Sequence, residues 1–279
     1  MNAPNRITAM LQLRNLTKTF FPNTPNEVRA LQGVTLDIDE GSFVIVIGTN
    51  GSGKSTLLNA AAGTFPLDQG TITLSGRDVT KWPEHRRAAM IGRVFQNPFS
   101  GTAPNMTVAE NLALAARRGQ PRGLGALLPR KLHAELRDRV AILNMQLETR
   151  MNNPIGTLSG GQRQALTLLM ATWRRPDLLL LDEHTAALDP KSADQIVRLT
   201  QRIVSQHHLT TLMVTHSMQQ AATLGHRIVM MNQGRVHADI AGPDRRRIRA
   251  EDLVRRFEEI RREEQLDVSA AEMLREMYV

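Results

Sequence analysis

The stretch FVIVIGTNGSGKST, Phe43 to Thr56, constrains this chain more than any other. Its leading apolar run shows no alternation, which suits a strand buried on both faces of a parallel sheet. The run passes directly into glycine-rich sequence and then into a helical pattern from about Lys54 to Ala62. Such a helix start leaves backbone N–H groups unpaired and carries partial positive charge, so it attracts anions. The residues also match G-x-x-x-x-G-K-[ST] in the strand-to-helix context which that pattern requires. Gly48, Thr49, Asn50, Gly51, Ser52, Gly53, Lys54, Ser55 and Thr56 are therefore the expected phosphate cradle. The glycines let the backbone curl toward phosphate oxygens. Lys54 places a cation on the β- and γ-phosphates, and Ser55 offers its hydroxyl to Mg²⁺.

A magnesium site also needs a carboxylate. Asp182 ends the run LLLL at the carboxyl end of a buried strand, where open α/β sheets bind ligands. Glu183, one residue nearer solvent, is placed to accept a proton from the water that attacks the γ-phosphate. Read alone, such a pair is more often a helix cap; the upstream cradle favours the catalytic reading.

The runs LLLLDE and TTLMVTH each end in polar residues and precede helix-like sequence, and VTLDID alternates like a half-buried antiparallel strand. The class is α/β. Between Thr107 and about Trp173 only helical periodicity appears, broken by the loop GQPRGLGALLPR, so a helical subdomain is expected over about 97–173. RVHADI reads as a closing edge strand and GPDRRR as a boundary. From Ala250 the chain is densely charged, with Leu253, Phe257 and Ile260 on one helical face. That pattern favours a surface helix packed on the domain over a partner-binding helix.

No apolar run approaches the roughly 20 residues that cross a bilayer, and MNAPNRITAM lacks the apolar stretch of a secretory leader, so a cytosolic location is expected. The absence of cysteine excludes disulfides and thiolate metal sites. A formal charge of +8 is compatible with nucleic acid, but the basic residues are scattered and aromatics make up only 4%. No stacking platform results, and no nucleic-acid partner is expected.

A second glycine-rich helix start, LSGGQRQAL at Leu158–Leu166, remains. In isolation Ser159 is equally a plain N-cap. Taken in order, Gly48–Thr56, Gln96 after IGRVF, LSGGQ, LLLLDE, ALD at Ala187–Asp189 and His216 resemble the nucleotide-binding subunit of an ABC transporter, over about Leu11 to Ala241. The resemblance implies a RecA-like P-loop NTPase core with an antiparallel β subdomain and an inserted helical subdomain. It places the ATPase domain at 1–242 and leaves a charged helical extension at 243–279.

It further implies ATP and Mg²⁺ as cofactors and a head-to-tail homodimer. Ser159, Gly160, Gly161 and Gln162 of one copy would contact ATP in the other, with Asp189 as the D-loop residue. Gln96 would touch Mg²⁺ or the water beside Ser55 and Asp182, and His216 the γ-phosphate. Phe20, with Phe21 as second choice, takes the place of the tyrosine the family often stacks on adenine, because the chain's single tyrosine, Tyr278, lies far down the tail. His184 stands where the family usually has proline. The implied partners are integral membrane permease subunits, docking near Phe99, Met106, Val108 and Leu112, and an extracytoplasmic solute-binding protein. The implied activity is ATP hydrolysis at the cytoplasmic face of the membrane, driving import of an amino-acid-like solute. A soluble ABC ATPase of ribosome or DNA is the alternative, and a binding-only regulator is disfavoured by Glu183 and His216.

Overall fold

The computed structural model describes residues 9–120, 128–260 and 262. The chain runs β1 (Ala9–Phe20), β2 (Val28–Asp39), β3 (Phe43–Gly48), α1 (Lys54–Ala62), β4 (Gln69–Leu74), β5 (Arg77–Asp78), α2 (Glu84–Arg87) and β6 (Ile91–Val94). It continues through α3 (Val108–Ala116), α4 (Arg130–Ala141), α5 (Gly160–Thr172), β7 (Leu178–Asp182), α6 (Pro190–His207) and β8 (Thr211–Val214). The last elements are α7 (Met218–Thr223), β9 (Arg227–Asn232), β10 (Arg235–Ile240), α8 (Gly242–Arg247) and a helix α9 over 250–260.

Two sheets form. One has the order β10-β9-β3-β8-β7-β6, parallel except for the antiparallel edge strand β10; the other is antiparallel, in the order β2-β1-β4-β5. Strand β3 is buried on both faces as its unbroken apolar run predicts. Phe43, Ile45 and Ile47 enter one core with the helices of the inserted segment, while Val44 and Val46 enter a second with Leu57 and Leu58 of α1. Because β3, β8, β7 and β6 are parallel neighbours, their carboxyl ends line up along one sheet edge. That edge carries the cradle, His216, Asp182 with Glu183, and Gln96, in that order. Sequence segments far apart are thereby brought to one crevice.

The phosphate-facing helix α1 is fixed at its far end by a residue the sequence gives no hint of. Arg87 is 2% exposed and donates to the Ala60 and Ala61 carbonyls at 2.8 and 3.0 Å, to Thr80 at 3.0 Å and to Trp82 at 3.0 Å. A cation at a helix C-terminus is favoured by the dipole, and here it reaches the Ala61 carbonyl and that of Ala60, which also accepts from Gly63 N–H at 3.2 Å. Replacing Arg87 with alanine removes all four of these hydrogen bonds from a buried site. The variant is expected to lose about 3 kcal/mol of stability, read by urea denaturation.

The final helices depart from the sequence reading in one respect. GPDRRR is not a bare boundary but helix α8. Its Arg245 is 7% exposed and donates to the Ala221, Ala222 and Leu224 carbonyls at the end of α7. Glycine, proline and charge conceal a helix whose stability comes from tertiary contacts. In α9 the residues Leu253, Phe257 and Ile260 are buried in the same core as Phe43 and Ile45. Residues 1–8, the segment 121–127 of the glycine- and proline-rich loop, and the tail beyond 262 with Tyr278 lie outside the described residues.

Candidate active site

The cradle is built for an anion by what it lacks. Helices α3, α5 and α6 each have a side chain bonded to their first-turn N–H groups, whereas α1 begins at Gly53 with no side-chain cap. Gly53 has φ 94, and a Cβ there would lie 2.3 Å from the Ala30 carbonyl, so no other residue fits. Behind the loop, Gly234 in the β9–β10 turn donates to the Ser52 carbonyl at 3.1 Å and braces it. Lys54 Nζ donates to the Gly48 and Thr49 carbonyls, each at 2.9 Å, which holds the ammonium at the inner edge of the cradle. Burial lowers the Lys54 pKa, and Glu183 and Asp182 pull it back up.

Next along the sheet edge, Ser55 Oγ donates to Asp182 Oδ1 at 3.3 Å. A hydroxyl and a carboxylate converging at the foot of a phosphate cradle suit a hard divalent cation such as Mg²⁺. Burial raises the Asp182 carboxyl pKa, opposed by Arg93, Ser55 and Lys54. Arg93 Nη2 lies 4.0 Å from Asp182 Oδ2 and packs over the Phe95 ring. Sequence reasoning missed Arg93, although a lone charge in the otherwise apolar strand β6 is a usable signal.

Glu183 sits at φ 44, a left-handed conformation uncommon for this residue type. Its N–H donates to the Val214 carbonyl at 3.0 Å, and its Oε2 is 3.3 Å from His216 Nδ1. The expected base and the expected histidine are thus brought together. Gln96 follows β6 on the same edge but is exposed, and among the described residues it has no hydrogen bond to Ser55 or Asp182. Phe20 ends β1 with its ring edge-on to Phe65 at 5.3 Å and with Lys18 Nζ 5.6 Å from its centroid; Phe21 is 66% exposed.

A cavity of about 600 Å³ adjoins the cradle, lined by Gly48, Thr49, Asn50, His216 and Met218 and, on its far wall, by Val254, Phe257 and Glu258 of α9. Sequence reasoning set α9 outside the site; its placement depends on long-range packing. The second glycine-rich start opens elsewhere, on a cavity of about 280 Å³ whose lining includes Ser159, Gly161, Gln162 and Ser192. Ser159 caps α5 in a reciprocal box: Gln162 N–H donates to Ser159 Oγ at 3.2 Å, and Ser159 N–H to Gln162 Oε1 at 3.3 Å. The cap uses the Gln162 amide, while Ser159 and Gly160 stay exposed.

Gly161 is buried against the first turn of α6, where a Cβ would meet Ser192 Cβ at 2.9 Å. Asp189 caps that same helix by accepting from Ser192 N–H at 3.0 Å, and the bonds from Ser192 lower its pKa. The start of α5 and the Asp189 loop are therefore one packed unit. Gly161→Ala is expected to displace the first turn of α6 and cost about 1–3 kcal/mol, measured by thermal unfolding.

The expected permease-facing residues divide. Val108 and Leu112 are fully buried in the core and cannot present a docking surface. Phe99 is 48% exposed, with the Arg163 guanidinium 3.5 Å from its ring centroid on the other side.

The family model described as ABC transporter matches residues 31–186. The chain belongs to the ABC transporter family. It is an ATP-binding, ATP-hydrolysing subunit of a transporter, with the P-loop NTPase fold its motifs predict. A tyrosine transport ATP-binding protein of Clostridioides difficile (strain R20291) is 40% identical over 250 residues, covering 89% of this chain and 99% of that one. The sulfate/thiosulfate import ATP-binding protein CysA of Methylococcus capsulatus is 37% identical over 81% of this chain, which spans only 61% of that relative's length. Among solved structures, the dimeric post-hydrolysis state of the ATP-binding cassette MJ0796, bound to ADP and Pi, superposes with a TM-score of 0.72 at 28% identity. The match covers 83% of this chain and 98% of that one. Among the described residues no helix of this ABC ATPase is long and apolar enough to cross a membrane.

Proposed function

We propose that this ABC ATPase works as a head-to-tail homodimer on the cytoplasmic face of the membrane, driving a separate integral permease that imports an amino-acid-like solute. The observation that carries the reading is that the two anion-ready helix starts open on different cavities, one lined by Gly48, Thr49 and Asn50 of the Lys54 cradle and the other by Ser159. A nucleotide seated on Lys54 is then met by Ser159, Gly160 and Gly161 from a second copy. Ser55 and Asp182 would hold Mg²⁺, with Gln96 from the loop after β6 completing the set. The ion supplies neutralising charge at the β- and γ-phosphates. Glu183 takes the proton of the attacking water, and His216, 3.3 Å from it, orients that carboxylate and contacts the γ-phosphate. Phe20 is the candidate surface for adenine, and Asp189 sets the D-loop between the copies.

The ATPase domain is assigned to 1–242 and the charged extension to 243–279, with α9 of that extension walling the nucleotide cavity. Phe99, exposed, and Met106, partly exposed, remain as candidate contacts for the permease. Support for an amino-acid-like solute comes from the tyrosine transport relative, matched over 99% of its length. An extracytoplasmic solute-binding protein completes such a system.

Purification of the ATPase with its membrane partners, followed by reconstitution into vesicles with ATP on the ATPase side, tests the reading. Accumulation of labelled tyrosine or another amino acid, dependent on ATP, is the expected result. Absence of any integral membrane partner, together with turnover stimulated by ribosomes or DNA, overturns it.

A further inference from the structure

His184 is a buried polar residue for which the mechanism above has no use. It is 1% exposed, its Nε2 lies 3.0 Å from Thr200 Oγ1 on α6, and its Nδ1 has no hydrogen-bond partner among the described residues. Thr200 is itself 1% exposed. Burial pushes the imidazole pKa down to about 4, so the ring is neutral. A buried nitrogen without a partner costs stability, and an apolar side chain would fill the same space without that cost. The ring is therefore best explained by what its one hydrogen bond holds.

What it holds is the backbone that aims Glu183. That residue's φ of 44 persists only where its surroundings over-determine it. On the amino side the Glu183 N–H is tied to Val214 of β8; on the carboxyl side Ala186 N–H donates to the Glu183 carbonyl at 2.9 Å. His184, the very next residue, is bolted to the middle of α6, and α6 begins at Asp189, its N-cap. The segment between β7 and α6 is thus pinned at β8 and at Thr200, and the Glu183 carboxylate reaches His216 from that fixed frame.

The geometry points to His184 as a positioning residue for hydrolysis, acting through its hydrogen bond to Thr200 to hold Glu183 in its left-handed conformation. This rests on the reading of Glu183 as general base. The bond links the base to the helix that carries Asp189, so a shift of α6 is transmitted to the carboxylate.

The test compares His184→Ala, His184→Gln, His184→Asn, Thr200→Val and the His184→Ala, Thr200→Val pair in steady-state turnover and in binding of a fluorescent ATP analogue. Misplacement of a catalytic group costs up to about 10²-fold, so His184→Ala is expected to lower kcat by roughly 10- to 100-fold with analogue affinity within about twofold. Thr200→Val, the milder variant and the safeguard should His184→Ala fail to fold, is expected to lower kcat in the same sense. The double variant is expected to be no worse than His184→Ala. Glutamine places a nitrogen near the Nε2 position and is expected to restore turnover; asparagine, which reaches only toward Nδ1, is not.

Unchanged kcat in Thr200→Val and in whichever His184 variants fold overturns the proposal. So does a loss shared equally by kcat, analogue affinity and thermal stability that glutamine fails to repair. Glu183→Gln, run alongside, separates the two readings: full turnover in that variant removes the base assignment itself. Loss of turnover there with an indifferent His184→Ala removes only the positioning role.

Discussion

Lys54→Ala is expected to weaken ATP binding by about 10² to 10³-fold, because the ammonium is the cation that the cradle points at the phosphates. A hydrogen bond to a charged group contributes about 1.5–3 kcal/mol, and this ammonium serves two phosphate groups. Its present partners, the Gly48 and Thr49 carbonyls, are backbone atoms of the cradle itself, so its removal leaves the loop without its central cation. The fold around it should survive, since β3 and α1 are held by apolar burial on both sides and by Arg87 at the helix end. Equilibrium binding of a fluorescent ATP analogue, with circular dichroism as the control for folding, checks the prediction. Tight binding by a folded variant would remove the cradle assignment.

Glu183→Gln should have the opposite profile. The amide is nearly isosteric, so the left-handed backbone, the contact with His216 and the cradle are retained. It cannot accept the proton from water, and turnover is expected to fall by about 10² to 10⁴-fold, the span of a general base. ATP binding is expected to remain. With hydrolysis blocked, the nucleotide-bound dimer should accumulate, visible as a doubling of mass by light scattering on addition of Mg-ATP. Undiminished turnover would take Glu183 out of the mechanism.

Much of this site is legible in the sequence because its parts are local. FVIVIG, the glycines and the helix from Lys54 to Ala62 follow one another without interruption, and the structure places that strand and helix where the pattern does. LLLLD and TLMV are compact runs of the same kind. Strand β1 is harder to see. Its alternation of Leu11 and Leu13 is broken at Asn15, which has φ 51 and lies within a shift of register, so the period is lost midway. The order in which the strands pair is invisible in one sequence, yet that order sets His216 beside Glu183.

The arginines were illegible for another reason. Arg87 and Arg245 satisfy carbonyls contributed by other elements, and nothing in their neighbours announces those partners, whereas Arg93 at least stands out as a lone charge in an apolar strand. His184 is the instructive case. A polar residue between a glutamate and a threonine reads as surface, and only the packing of α6 turns it into a buried neutral ring.

The central claim is that one nucleotide is enclosed by Lys54 of one copy and Ser159 of another. A crystal structure of the Glu183→Gln variant with Mg-ATP tests it most directly. The account predicts two copies with Ser159 Oγ and the Gly160 and Gly161 N–H groups of one at hydrogen-bond distance, about 3 Å, from the γ-phosphate held by the other's Lys54. A single copy with ATP in its cradle and Ser159 facing solvent would contradict it.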